Sequence, residues 1–125
     1  MSAVAGVALG LRFEFRDRDG DLLGGIIRWD VTGAAVPREG ERFGVGALSP
    51  LVEQLVGTGS VVHHIDHYPQ IPGEKDDAPR VGVVVHVENA TVPSLLDAQA
   101  DLEATGWQVD VFDDARNKAG LGRRI

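Results

Sequence analysis

The sequence contains no cysteine. That removes disulfide bridges, zinc-thiolate sites and thiol nucleophiles together, so any bound metal must rely on histidine and carboxylate. Aromatic residues make up only 6% of the chain. No apolar run approaches the roughly eighteen residues a membrane-spanning helix needs, so no membrane association is expected. The opening MSAVAGVALGLRFEF has no basic segment ahead of its short apolar run, and charge arrives at Arg12. It reads as a strand rather than a signal peptide, and a cytoplasmic location is expected.

Nucleotide and hydrolase motifs are missing as well. GTGS lacks the lysine and hydroxyl residue of a phosphate loop, and GVGALS lacks the third glycine of a dinucleotide fingerprint. No serine lies in a Gly-x-Ser-x-Gly elbow, and no His-Glu-x-x-His spacing occurs. The Asn-Ala-Thr at Asn89 is a formal glycosylation sequon without meaning in a cytoplasmic chain.

What is present suits one globular domain. The 125 residues, 43% hydrophobic and 25% charged, are enough to bury a single core without covalent staples. Charge is uneven: the last ten residues, RNKAGLGRRI, hold four basic groups and no acid, which leaves residues 1–115 at a formal −11 within a total of −7. Residues 1–115 are therefore expected to form the domain and 116–125 a mobile basic tail. So acidic a body repels phosphate backbones, which disfavours nucleic acid, and attracts basic partners.

Periodicity supplies the elements. VALGLRFEFRD alternates, with Val7, Leu9, Leu11, Phe13 and Phe15 on one face and Arg12, Glu14 and Arg16 on the other. DRDGD then turns the chain into LLGGIIRWDV, where alternation groups Ile27, Trp29 and Val31. Gly24 and Gly25 mark a bulge or bend. Asp17, Asp19 and Asp21 resemble part of a calcium loop, but the glycine falls at the fourth position and Arg28 stands where a bidentate glutamate is needed, so a hairpin turn is expected.

A short strand is expected around Arg42 to Val45, and a short helix in LSPLVEQLVGTG, with Ser49 as cap, Pro50 in the first turn and Gly57 as stop. SVVHHIDHY and RVGVVVHVE read as β-branched strands joined by a polar loop. TVPSLLDAQADLEATGW is the clearest helix, capped by Thr91 or Ser94, with Leu95, Ala98 and Leu102 on one stripe and Gly106 as stop. WQVDVFDD closes the chain with Trp107, Val109 and Val111 on one face. The order predicts an α+β domain: a curved, mostly antiparallel β-sheet or partly open barrel with one main α-helix packed on it, the last strand running parallel to Arg80–Glu88. The run VPREGERFGV followed by two β-rich strands resembles a generic small-barrel pattern of short bacterial proteins, and the resemblance implies no activity.

Three of the four histidines, His63, His64 and His67, lie within five residues. On one continuous strand, His63 and His67 would point away from His64 and Asp66. An antiparallel pairing that sets His64 opposite His86 would gather His64, Asp66, His86 and Glu88 on one face. Two imidazoles and two carboxylates can hold zinc or another divalent metal. A one-residue slip would separate them.

Three functional readings follow. The leading one is a noncatalytic, acidic protein-binding module, for instance one that neutralises a basic partner as immunity-type inhibitors do, an analogy of size and charge. The second is a small metal-binding protein or metal-dependent enzyme using His64, Asp66, His86 and Glu88. The third is a sheet domain that self-assembles, for instance as a homodimer, through an exposed strand edge.

Overall fold

A computed structural model describes residues 6–33, 35–44, 49–57, 59–69, 80–88 and 91–112. The loop at 70–79, the sequon at Asn89 and the basic tail at 116–125 lie outside them. Strand β1 (Val7–Arg16) turns directly into β2 (Leu22–Gly33), and the two pair antiparallel. The turn forms because Gly20 takes φ 84°, a value that suits glycine. Asp17 completes it: its Oδ1 accepts the backbone N–H of Asp19 and of Asp21, both at 2.9 Å.

A short strand β3 (Arg42–Gly44) and helix α1 (Pro50–Val56) follow. Ser49 caps α1 by accepting the Val52 N–H. The expected strand SVVHHIDHY is two strands. Its first residues belong to β4 (Gly59–Val61), which among the described residues pairs only with β3. The rest form β5 (His64–Tyr68), at the edge of the main sheet. The switch falls at Val62 and His63: the Val62 N–H bonds to the Glu41 carbonyl on the small-sheet side, and the His63 N–H to the Val84 carbonyl in the main sheet.

Strand β6 (Arg80–Val87) pairs antiparallel with β5 and parallel with β1. Helix α2 (Val92–Ala104) is capped by Thr91, whose Oγ1 accepts the Ser94 N–H. It ends with Gly106 at φ 100°, the Gly106 N–H bonded to the Glu103 carbonyl and the Trp107 N–H to the Leu102 carbonyl. This leads into β7 (Gln108–Val111), antiparallel to β2. The main sheet thus runs β5-β6-β1-β2-β7, curved and unclosed. Taken through the pairings, β7 does run in the same direction as β6, but at the opposite edge. The α+β architecture is the expected one.

Paired residues share a face, so the register assigns every side chain to one of two sides. Leu9, Leu11, Phe13 and Phe15 of β1, Val83, Val85 and Val87 of β6, Ile26 of β2 and Val109 of β7 form the core with Leu95 and Leu102 of α2, Val52 of α1 and Val62. One grouping from alternation needs correction. Leu9 pairs with Val31 but Leu11 with Arg28, so β2 carries an extra residue there, and Ile27 and Trp29 turn to the face opposite Val31. Ile26, not Ile27, is the residue driven fully into the core. A second irregularity, beside Gly24, is the one the paired glycines suggest.

Among the described residues the helices and the small sheet gather on the core side. The other face carries Arg12, Glu14 and Arg16 in the middle, His86, Val84 and Gly82 on one flank, and His64, Asp66 and Tyr68 beyond. These long side chains cover their own neighbours, so that Val84 is only 2% exposed beneath them. None of the described helices is long and apolar enough to cross a membrane.

Candidate functional site

Glu14 sits at the centre of this second face, on the middle strand, and is 7% exposed. A carboxylate so placed must be compensated. Arg16, two residues on and therefore on the same face, donates from Nη2 to Glu14 Oε1 at 2.8 Å. Arg12, two residues before, brings Nε to 3.1 Å from Oε2. The parallel neighbour opposite Glu14 is His86, whose Nε2 lies 3.1 Å from Oε1. Neither Arg12 Nε nor His86 Nε2 meets the line a hydrogen bond requires. Those two contacts are electrostatic, and the Arg16 bond is the directed one.

Burial, the largest influence on the Glu14 carboxyl, pushes its pKa up. The Arg16 hydrogen bond and the charges of Arg12, Arg16 and His86 outweigh it and hold the group below its ordinary value. His86 is likewise pushed down, by burial first and then by the neighbouring charges of His63 and Arg16, with Glu14 opposing. At neutral pH the arrangement is an ionised Glu14 beside a neutral His86.

Around His86 two other imidazoles assemble. The His63 ring stacks on the His86 ring at 3.6 Å between centroids and 19° between planes. His64 meets His63 edge-on, with the two Nδ1 atoms 2.7 Å apart. At that spacing one of the two nitrogens must donate a proton and the other accept it. One ring nitrogen from each of His63, His64 and His86 lies within 4.8 Å of the others. On the far side of His64, Nε2 is 3.4 Å from Asp66 Oδ2.

The expected set of His64, Asp66, His86 and Glu88 is thus partly gathered and partly rearranged. His64 does not pair with His86: its partner is Val84, and His86 lies one step further along the same face. Asp66 flanks the imidazoles, beside His64. Glu88 follows the end of β6, exposed, and lines a cleft of about 270 Å³ together with His86, Ser60, Val56, Val61, Val85 and Val87. His67 pairs with Val81 and is exposed.

Two members, His63 and Glu14, lie outside the expected set, for different reasons. Strand alternation carried through Val62 puts His63 on the wrong side, because the chain changes sheets there. Glu14 had a visible signal in RFEFR, an acid with arginine two residues away on each side and so on one strand face.

Three neutral imidazoles can hold a borderline divalent ion such as zinc and leave a fourth position for water. Zinc–nitrogen bonds of about 2.0 Å in tetrahedral geometry put the donors roughly 3.3 Å apart. The His63–His64 pair would open by ~0.6 Å from its 2.7 Å spacing, and the stacked His63 and His86 rings would have to turn apart before their in-plane lone pairs could meet at one ion. The acidic turn of Asp17, Asp19 and Asp21 also brings three carboxylates close together. It remains the hairpin expected of it, with Asp17 Oδ1 committed to two backbone N–H groups. No family model, curated protein or solved structure matches this chain. What the site does must therefore be argued from its geometry.

Proposed function

We propose that the protein binds one divalent transition-metal ion through His63, His64 and His86. The observation that carries this is the convergence of three ring nitrogens within 4.8 Å on residues from two strands and the junction between two sheets. Two of the rings also have a carboxylate at Nε2, Glu14 for His86 and Asp66 for His64. Metal-bound histidines recurrently carry such a partner on the nitrogen away from the metal. An all-imidazole donor set favours zinc, copper or nickel over magnesium and calcium, which prefer oxygen.

Titration of untagged protein with Zn²⁺ by calorimetry tests this. One ion per chain is expected, with binding lost in His63→Ala, His64→Ala and His86→Ala and absent for Mg²⁺. Zinc uptake that survives removal of all three histidines would assign binding to other groups and end the proposal.

A second reading, a noncatalytic module that docks a protein partner, rests on a different part of the same face. Trp29 and Tyr68, each 40% exposed, meet edge to face at 5.6 Å, and the Arg80 guanidinium lies 5.1 Å from the Trp29 ring centre. Exposed aromatic residues beside arginine are the composition of binding hot spots. With a net charge of −7, a basic partner would be recruited at a rate that falls as salt rises. Association measured with a captured partner across a salt series, using wild type and Trp29→Ala, tests it. Unchanged binding in the variant would place docking elsewhere.

A further inference from the structure

We propose that Glu14 is a positioning residue for the metal site: its carboxylate, 3.1 Å from His86 Nε2, electrostatically favours the ring form that carries its proton there and so frees Nδ1 to ligate. The inference rests on the metal reading above and adds a role for a residue outside the ligand set.

A neutral imidazole carries one proton, on either nitrogen, and in solution the two forms exchange freely. A carboxylate beside one nitrogen draws the proton there and presents the lone pair of the other. Glu14 is held for this task from three sides. Its Oε1 takes the Arg16 hydrogen bond at 2.8 Å and faces His86 Nε2 at 3.1 Å, and its Oε2 lies 3.1 Å from Arg12 Nε. Its backbone is fixed between β6 and β2 by the pairings of Glu14 with His86 and with Gly25. Gly25 is necessary to that packing: a Cβ there would stand 2.8 Å from the Phe13 carbonyl oxygen.

The same carboxylate also neutralises one of two guanidinium charges beside a site meant for a dication. The groups facing His86 are then Glu14, Arg12 and Arg16 from β1, with His63 and His64 from the chain entering β5. Replacing Glu14 by glutamine would remove the negative charge beside Nε2 and leave both arginines uncompensated. Loss of such a carboxylate behind a metal-bound histidine weakens binding roughly 10–100-fold.

The experiment reads the histidine tautomers of the full-length, metal-free chain by long-range ¹H–¹⁵N correlation, together with zinc affinity. In wild type, His86 is expected as the Nε2–H form. In Glu14→Gln that preference should be lost and zinc affinity should fall roughly 10–100-fold. Asp66→Asn, which touches His64, should leave the His86 tautomer unchanged. His86 in the Nδ1–H form in wild type, or in the Nε2–H form regardless of Glu14→Gln, would overturn the assignment. The wild-type spectrum alone decides should Glu14→Gln fail to fold. Zinc failing to bind the wild type would overturn the metal reading separately, while the tautomer would still decide whether Glu14 orients His86.

Discussion

The seating of α2 on the sheet fixes the core, and Leu102→Ala tests it directly. Leu102 is 0% exposed in the last turn of α2, and its carbonyl accepts the N–H of Trp107, the residue before β7. Truncation removes three buried carbons, worth about 0.8 kcal/mol each in transfer, or about 2.4 kcal/mol. The cavity left behind adds to this, and measured leucine-to-alanine losses in cores run from ~2 to 5 kcal/mol. The position is near a helix end, where neighbours can close in, so we expect about 3 kcal/mol. For a domain of ordinary stability, ~5–15 kcal/mol, that is a large fraction. Urea unfolding followed by far-ultraviolet circular dichroism should show a lower midpoint with an unchanged slope. Glu103→Ala, on the exposed side of the same turn, should change stability by less than about 0.5 kcal/mol. Gly24→Ala offers an independent check from the sheet side: a Cβ there would lie 2.4 Å from the Asp110 carbonyl oxygen and 3.1 Å from Leu95 Cδ2. It should destabilise by pushing both β7 and α2 away. A loss below about 0.5 kcal/mol for Leu102→Ala would mean that α2 does not sit on this core.

Three further outcomes are expected. Because His86 is harder to protonate in the fold than in the unfolded chain, stability should decline as pH drops below its ordinary value of 6.5. The contribution of Glu14, complete above 4.5, should be lost as pH falls through its lower folded value. Urea midpoints between pH 8 and 3 should therefore fall in two stages, the upper one missing in His86→Ala; a flat profile from pH 7 to 5 contradicts the burial of a neutral imidazole. Gly10→Ala places a Cβ 2.2 Å from Trp29 Cε3, so the indole must leave the sheet, and its fluorescence should shift to the red while the fold persists; an unchanged spectrum would show that Trp29 does not lie across Gly10. Zinc at one hundred times its dissociation constant should stabilise the chain by about 2.7 kcal/mol, provided the unfolded chain does not bind, and His63→Ala should abolish the gain.

Alternation and capping made much of the fold legible. A period of two places Phe13 and Phe15 in the core, and local chemistry bounds α2 by Gly106 and by Thr91, one of two candidate caps with Ser94. What could not be read depends on hydrogen bonds between distant segments. Nothing in SVVHHIDHY announces that Val62 bonds back to Glu41 and His63 forward to Val84. That break displaced His63 from the side to which a regular strand would assign it. The extra residue of β2 opposite Leu9–Leu11 likewise moves Trp29 to the face opposite Val31, and the glycine that accommodates it, Gly10, lies across on β1 rather than in β2 itself. His64 and His86 were brought to one face as expected, but a register offset made them diagonal neighbours, and the parallel β1–β6 pairing set Glu14 opposite His86 instead.

That parallel pairing also separates the site in time. The hairpin of β1 and β2 closes a short loop, since only a tight turn joins them, whereas the β1–β6 pairing, Gly10 with Gly82, must close a long one, which topology makes slower. His63, His64 and His67 are adjacent in sequence and available to a metal ion before any folding; His86 and Glu14 join them only when the central pairing is complete. The unfolded chain therefore keeps a fragment of the ligand set, and an ion present during folding can be captured there with low affinity and in the wrong company. Zinc should consequently stabilise the native protein by less than its affinity for the finished site would suggest, and at high concentration should slow refolding rather than speed it.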